Sequence, residues 1–301
     1  MYRKIIVGHD LNDGGRDALA LAQAVSEATG ATLVVAGVVP VPAQPFQFPA
    51  AWSEAEKRMK AEIEQAAAAV GAEAKTLPSS SPARGLHFLA EEIDADLVVV
   101  GSSARGKADR LFAGKVGLGL LHGSPCGVAI APRGYRGHDG GLSTIVVGYD
   151  GTHESDLALR DAIDLAKAGG CKLKLVSVAE DPPIVYGKGA GPAQGYHELK
   201  TAIEEQVRER LDQARMTIPD EIDAEAILVT GDPAEEVAAA ARPDDVLILG
   251  SRAYGPLRRV LLGSVSSALA RSAPCPVIVH PRGAAAEAEA EAGDTADTAA
   301  R

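Results

Sequence analysis

The sequence predicts an α/β protein made of two tandem doubly wound domains, each a five-stranded parallel sheet with helices on both faces. Three observations predict it. Short all-apolar runs alternate with longer stretches of helical periodicity, and a continuous apolar run is how a strand covered on both faces reads. Strands that alternate with helices imply right-handed crossovers and a parallel sheet. The whole pattern then restarts about 140 residues on, and 301 residues are enough for two domains with their own cores.

In order, Lys4-Ile-Ile-Val-Gly8-His9-Asp10 is a strand ending in polar residues. Asp13 is expected to cap the next helix, which has apolar positions at Ala18, Leu19, Leu21, Ala22 and Val25 and stops at Gly30. Thr32–Val39 is a second buried strand, followed by a Pro/Gln/Phe loop over Pro40–Pro49. An Ala/Glu/Lys helix runs from about Ala51 to Val70, and a weak strand covers Ala72–Leu77. Ser81 caps a helix that Pro82 opens and that ends near Ile93. Asp96–Gly101 is a buried strand. The loop Ser102–Ala113, a helix from Gly114 and the strand Gly127–Ala131 close the first half.

Each part of this series recurs. Thr144-Ile-Val-Val-Gly148-Tyr149-Asp150-Gly151-Thr152 repeats the opening strand. Gly30-Ala-Thr-Leu returns as Gly170-Cys-Lys-Leu, 140 residues on. Asp96–Gly101 returns as Asp245–Gly250, and Ser124-Pro-Cys126 as Ala273-Pro-Cys275, both 149 on. The second half therefore carries about nine extra residues, expected in the Gly/Pro-rich loop Asp181–Gln194, because insertions go to surface loops. A period this long marks a duplicated domain, not a stacking repeat. The domains are expected at 1–133 and 143–282, joined by a linker over Pro132–Leu142. The acidic low-complexity tail 283–301 is expected to be disordered.

Parallel sheets take ligands beyond the carboxyl ends of their strands, where strand order reverses. In the second half those ends are Tyr149-Asp150, Val178-Ala179-Glu180 and Leu249-Gly250. A basic loop follows Gly250, and a helix opens at Gly263-Ser264. A helix start offers free N–H groups and positive potential, which suits phosphate. There is no Walker Gly-Lys-Ser/Thr and no Gly-x-Gly-x-x-Gly.

At these residues the chain resembles the universal stress protein family, over nearly Met1–Arg282. The family's ATP-binding members carry Gly-x2-Gly-x9-Gly-Ser/Thr, and the second half has Gly250-x2-Ala253-x9-Gly263-Ser264. Tyr149-Asp150-Gly151-Thr152 resembles the family's first-strand Asp-Gly-Ser, and Thr230-Gly231-Asp232-Pro233 its helix start. The resemblance implies a flavodoxin- or Rossmann-like fold and ATP as ligand, with Mg²⁺ as its companion ion. It places Asp150 beside ribose and phosphates and the backbone of Val178 at the adenine. Gly250 and Ala253 would approach the phosphates, with Gly263, Ser264, Val265 and Ser266 on the terminal ones. It also implies that the last strands, Gly127–Ala131 and Pro276–His280, pair within the chain as a pseudo-dimer, with a homodimer of chains beyond that. The expected role is a stress or energy-state sensor acting through protein partners.

Two departures stand out. Ala253 replaces the second motif glycine and adds a methyl at a close approach. The first half reads Gly101-x2-Ala104-x9-Gly114-Lys115, so lysine replaces the hydroxyl, and His9-Asp10-Leu-Asn replaces Asp-Gly-Ser. The first-half set Asp10, Val38, Gly101, Ala104, Gly114 and Lys115 is therefore expected to be the weaker site. The same departures motivate an alternative: an interaction module of this fold without nucleotide. A related adenine-binding enzyme ranks last, since no Ser-Gly-Gly-x-Asp-Ser loop is present.

Composition excludes other classes. The net charge of −11 argues against general nucleic-acid binding, although Arg105, Lys107, Arg110, Arg252, Arg258 and Arg259 make both loops basic. No apolar run reaches a membrane span, and the N-terminus enters a strand directly, so a cytoplasmic location is expected. Cys126, Cys171 and Cys275 form no Cys-x-x-Cys and read as core thiols. The seven histidines lack ligand spacing, so no metal site is expected, and His153 reads as a helix-start residue. No Gly-x-Ser-x-Gly elbow or partnered Ser/His/Asp set is present, so fast catalysis is not expected.

Overall fold

The computed structural model describes residues 1–41, 49–102, 113–136, 141–182, 195–251 and 263–281. Expectations for Ala104, Ala253, the basic loop residues, the second-half insertion, the middle of the linker and the acidic tail lie outside them.

The first half runs β1 (Lys4–Gly8), α1 (Asp13–Thr29), β2 (Thr32–Pro40), α2 (Pro49–Ala69) and β3 (Glu73–Ser79). It continues α3 (Pro82–Ile93), β4 (Leu97–Gly101), α4 (Lys115–Leu121) and β5 (Gly127–Ala131). The second half runs β6 (Thr144–Gly148), α5 (His153–Gly169), β7 (Lys172–Ala179), α6 (Tyr196–Met216) and β8 (Ala224–Thr230). It ends with α7 (Pro233–Ala240), β9 (Val246–Gly250), α8 (Ser264–Ser272) and β10 (Val277–His280).

Local chemistry explains most boundaries. Gly30 and Gly170 end α1 and α5 in the left-handed region, at φ 73° and 62°, which glycine enters at no steric cost. Ser81 accepts from the N–H of Arg84 at the start of α3, as the Ser-Pro pair predicts. Asp232 accepts from both Ala234 and Glu235, at 2.9 and 3.0 Å, to cap α7. One expectation is corrected. Asp13 is the first helical residue of α1, Asn12 holds the cap position without a side-chain bond, and Asp10 Oδ1 takes the N–H of Gly15 at 3.0 Å instead. The polar strand end thus does the capping, because the tight turn at Leu11 folds Asp10 back over the helix.

Helices α2 and α6 are equally long and lie 147 residues apart, whereas β2 and β7 begin 140 apart. Most of the second half's extra length therefore enters between β7 and α6, where turn residues cluster.

The strands form one sheet of ten in the order β3-β2-β1-β4-β5-β10-β9-β6-β7-β8. Within each half every pairing is parallel, and the order reverses between β1 and β4 and again between β6 and β9. Apolar residues of α1, α2, α5 and α6 cover one face, and those of α3, α4, α7 and α8 the other. Ile5, Ile6, Val146, Val147, Leu247 and Ile248 are fully buried between the layers, which is why their runs do not alternate.

The halves join through the last strands. β5 and β10 pair antiparallel, with Val277 opposite Ile130, Ile278 opposite Ala129 and Val279 opposite Val128. Each strand thereby removes the other's open edge inside one chain. The seam has further ties. Helix α1 packs on α5, and Ala113 donates to the carbonyl of Ala270 in α8 at 2.9 Å. Buried His280 bridges Tyr2 Oη, 2.5 Å from Nε2, and Asp161, 2.9 Å from Nδ1. An ionised Asp161 only accepts, so Nδ1 of His280 carries a hydrogen and donates it. Burial pushes Asp161 up, but the hydrogen bond and charge of His280 and the N-terminal ammonium outweigh it and hold the carboxyl below its usual value. Asp17, fully buried in α1, takes the N–H of Gly134 at 2.9 Å and the guanidinium of Arg136, which pins the start of the linker.

Candidate functional site

Each reversal of strand order opens a cleft at the carboxyl ends of the strands, as the winding requires. In the second half, β6 and β9 end at Gly148 and Gly250, and α8 begins above them. The cleft holds about 310 Å³. Of the residues expected there, Tyr149, Asp150, Val178, Leu249, Gly250, Gly263, Ser264, Val265 and Ser266 line it together. Gly151 does not. Its φ of +75° makes it the turn residue between β6 and α5, and a Cβ there would lie 2.7 Å from Arg210 Cδ of α6.

Glu180, expected at the end of β7, lines it as well, whereas several lining residues were not expected: Thr152 at the cap of α5, Glu154 and Ser155 on α5, Pro233 and Val237 on α7, and Ser251. Ser251 had a readable signal, since Gly-Ser ends the fourth strand in both halves, at Gly101-Ser102 and Gly250-Ser251. The start of α7 was marked by Thr230-Gly231-Asp232-Pro233, but no residue pattern signals that packing brings Pro233 and Val237 over the cleft.

The polar groups fall into two kinds. Some are committed within the fold. Asp150 Oδ1 accepts from the N–H of Thr152 at 3.0 Å and from its hydroxyl at 2.6 Å, and Thr152 in turn caps α5 by accepting from Ser155 N at 3.3 Å. Ser266 donates its hydroxyl to the carbonyl of Gly250 at 3.2 Å. Tyr149 donates to Asp156 at 2.8 Å, and burial first, then that bond, raises its pKa strongly. Others are open. Gly263 stands at the α8 cap position in extended geometry, φ −78° and ψ 176°, with no side-chain cap. The first N–H groups of α8 are left without the side-chain acceptor that usually covers a helix start. Ser251 Oγ, in a residue only 2% exposed, has no hydrogen-bond partner among the described residues. Such a group costs roughly 1–3 kcal/mol, so a native structure needs a reason for it.

Gly250 has a reason of its own. A Cβ there would lie 2.5 Å from the carbonyl oxygen of Glu154, so the first turn of α5 excludes any side chain. At Gly101 the matching distance to the carbonyl of Gly14 is 2.0 Å. Helix–strand contact alone therefore demands glycine at both positions. Gly250→Ala is expected to destabilise the ligand-free protein by about 1–3 kcal/mol by displacing α5, read as a lower midpoint in denaturant.

The first half differs. Its cleft is divided into an apolar chamber of about 240 Å³ and a polar one of about 560 Å³. Asp10 and Gly101 border both, Val38 the first, and Gly114 and Lys115 the second. Leu11 holds the turn position of Gly151 at φ +63°, which costs an L-residue about 1–2 kcal/mol. His9 replaces Tyr149, and its Nδ1 accepts from the N–H of Leu11 at 3.2 Å. Burial lowers the His9 pKa, so the ring is neutral at pH 7.

Elsewhere, Cys126, Cys171 and Cys275 are free and buried, and burial pushes the thiols of Cys126 and Cys275 up to about 12. These are inert core groups. Among the described residues no His/Cys/Asp/Glu group has the makings of a metal site, and no helix is long and apolar enough to cross a membrane.

Comparison with known proteins adds the lineage. The model of the family described as universal stress protein matches twice, over residues 1–132 and 141–281. A universal stress protein of Mycobacterium tuberculosis is 32% identical over 206 residues, covering 67% of this chain and 69% of that one. Another from the same organism is 30% identical over 246 residues, covering 78% and 81%. The crystal structure of a universal stress protein from Archaeoglobus fulgidus superposes with a TM-score of 0.65 at 21% identity, over 93% of this chain and 98% of that one, a likeness of fold.

Proposed function

The chain belongs to the universal stress protein family, a family of stress-response proteins, and from that premise we propose that its second half binds ATP and signals through that occupancy. The observation that carries this reading is Ser251: a buried hydroxyl without a partner, in a cleft that also receives the uncapped start of α8. A ligand rich in acceptor oxygens satisfies both.

In this reading the backbone at Val178 meets the adenine and Asp150 the ribose. The N–H groups of Ser264, Val265 and Ser266 take the terminal phosphates, and Ser251 donates to one of their oxygens. Asp150, Glu154 and Glu180 put three carboxylates on a cleft meant for an anion, and no Lys or Arg among the described residues lines it. A Mg²⁺ ion carried in by the nucleotide would reconcile those charges. Among the described residues no His or Cys lines the cleft, and none of its serines is hydrogen-bonded to a histidine. The reading is accordingly that of a sensor, not a fast enzyme, with a protein partner as its output.

Ser251→Ala tests it. The ligand-free protein is expected to be unchanged or up to ~1 kcal/mol more stable, because the orphaned hydroxyl is gone, while ATP affinity falls about tenfold by calorimetry. Unchanged affinity would remove the main support. A second reading, a nucleotide-free interaction module, is favoured by the steric need for Gly250, which requires no ligand. Absence of ATP binding at millimolar concentration would establish it.

A further inference from the structure

The sheet ends in two outer strands, β3 on one side and β8 on the other. An outer strand shows a row of backbone N–H and C=O groups that another strand can join, and proteins usually blunt it. The edge at β3 is blunted. Val41 donates its N–H to the carbonyl of Ser79 at 2.9 Å, so odd-numbered residues of β3 face β2 and Ala74, Thr76 and Pro78 face outward. Pro78 therefore stands where its missing N–H costs the sheet nothing and denies a newcomer a donor. The pair Lys75–Glu73 adds charge to the same strand.

The edge at β8 has no such guard. It reads Ala-Glu-Ala-Ile-Leu-Val-Thr, without proline and with Glu225 as its one charge. Leu173 donates to the carbonyl of Asp223 at 2.9 Å and Gly231 to that of Ala179 at 3.2 Å, which fixes the phase of the ladder. Odd-numbered residues face β7, so the N–H and C=O groups of Ala224, Ala226, Leu228 and Thr230 point to the open side. None of these groups has a partner among the described residues. Ile227, Leu228 and Val229 are only half-buried, Leu228 against the layer that holds α6 and Val229 against the layer that holds α7. A further strand would continue the ladder and supply the cross-strand neighbours they lack.

Charge decides which strand. Both ends of β8 are acidic. Asp223 precedes it, paired with Lys172 at 2.9 Å, and Glu225 is exposed on it. After it come Asp232 and, in the first turn of α7, Glu235 and Glu236, with Glu236 folded over Gly231. Two copies of β8 side by side in antiparallel would set Asp223 and Glu225 of one against Asp232 and Glu236 of the other, so like charges oppose self-pairing. The acidic tail 283–301 is excluded on the same ground. We propose that the β8 edge docks a partner protein, which adds as an eleventh strand an extended segment with a β-branched centre and lysine or arginine at its ends. β8 leads through Gly231 into α7, whose Pro233 and Val237 line the second cleft, so the partner sits one helix away from it. This gives the protein partner of the sensor reading a place on the molecule, but it rests on the edge alone and is tested without nucleotide.

The probe is a fluorescent peptide, Lys-Lys-Thr-Val-Thr-Val-Thr-Val-Lys-Lys, titrated into the full chain and followed by anisotropy. It is expected to bind with a Kd below about 1 mM, and at least tenfold more weakly when its lysines are replaced by glutamates. Ala226→Pro removes one outward N–H, leaves the bonds to β7 in place and is expected to weaken the peptide tenfold or more. Glu225→Lys with Glu235→Lys, both at exposed positions, is expected to do the same without touching the core, and it decides the matter if the proline variant fails to fold. Amide exchange by NMR gives the most specific readout: the peptide is expected to slow Ala224, Ala226, Leu228 and Thr230, while Glu225, Ile227 and Val229 are already protected by β7. No binding at millimolar concentration, affinity untouched by the charge variant, or protection elsewhere than on β8 overturns the proposal. So does a dimer at micromolar concentration in sedimentation that the charge variant strengthens or Ala226→Pro dissociates, since the edge would then belong to a second copy. ATP affinity is measured separately, and its absence would count against the nucleotide reading alone.

Discussion

Gly263→Asp is expected to cost the protein at least 100-fold in ATP affinity while leaving its thermal midpoint unchanged or slightly higher. The two halves of that result have separate causes. Gly263 has extended backbone geometry, which any residue adopts, so the substitution brings no backbone strain. Aspartate is among the best residues at a helix cap and exceeds glycine there by a few tenths of a kcal/mol, so α8 gains a cap it now lacks. The same carboxylate would occupy the N–H groups of the first turn and place a negative charge where phosphates must come. A 100-fold loss corresponds to about 2.7 kcal/mol, within reach of one displaced anion site plus repulsion. Calorimetric titration with Mg²⁺–ATP beside a melting curve reads both. Affinity within threefold of wild type would mean that the nucleotide, if bound, does not use the start of α8. A lost affinity with a collapsed midpoint would mean only that the fold was damaged.

Val279→Asp addresses the joint between the halves and is expected to be the most damaging single change to stability. Val279 is fully buried in β10, opposite Val128 across the antiparallel seam and Leu249 across the parallel one. Its side chain lies in the apolar layer under α4 and α8. A carboxylate there has neither water nor a cation, and burying one costs about 3–5 kcal/mol or forces it to stay protonated. For a chain of this size that lowers the midpoint by roughly 10 °C or more. Val279→Ala removes volume without burying charge and is expected to cost about 1–3 kcal/mol. An aspartate variant no worse than alanine would show that the seam opens to water, and that the ten strands do not act as one sheet.

The seam also bears on assembly. The last strands of the two halves use each other's edges, so a second chain has no β5 or β10 edge to join. Any homodimer of this protein has to use another surface.

Much of this was open to reading from residues alone. Buried parallel strands announce themselves as Ile/Val/Leu runs, because both of their faces are covered. Helix ends announce themselves through Gly30, Gly170, Ser81 and Asp232, whose chemistry is local. The repeat needed only the order of such signals. Asp13 was misplaced as a cap because the left-handed turn at Leu11 is not something a leucine signals, and that turn hands the capping to Asp10.

The sequence by itself determined the architecture: two doubly wound halves, where each begins again, and which strand ends face the clefts. Those properties follow from periodicity and from short-range backbone chemistry, which act within a few residues. Tertiary structure alone decided the rest. It placed the carbonyl of Glu154 against Gly250, so that a glycine expected to serve a phosphate is required first by a helix. It left Ser251 without a partner, brought α7 over the second cleft and divided the first into two chambers. It also joined Tyr2 to His280 across nearly the whole chain. Each of these is a contact between residues far apart in sequence, fixed by how the layers pack and invisible to any pattern read along the chain.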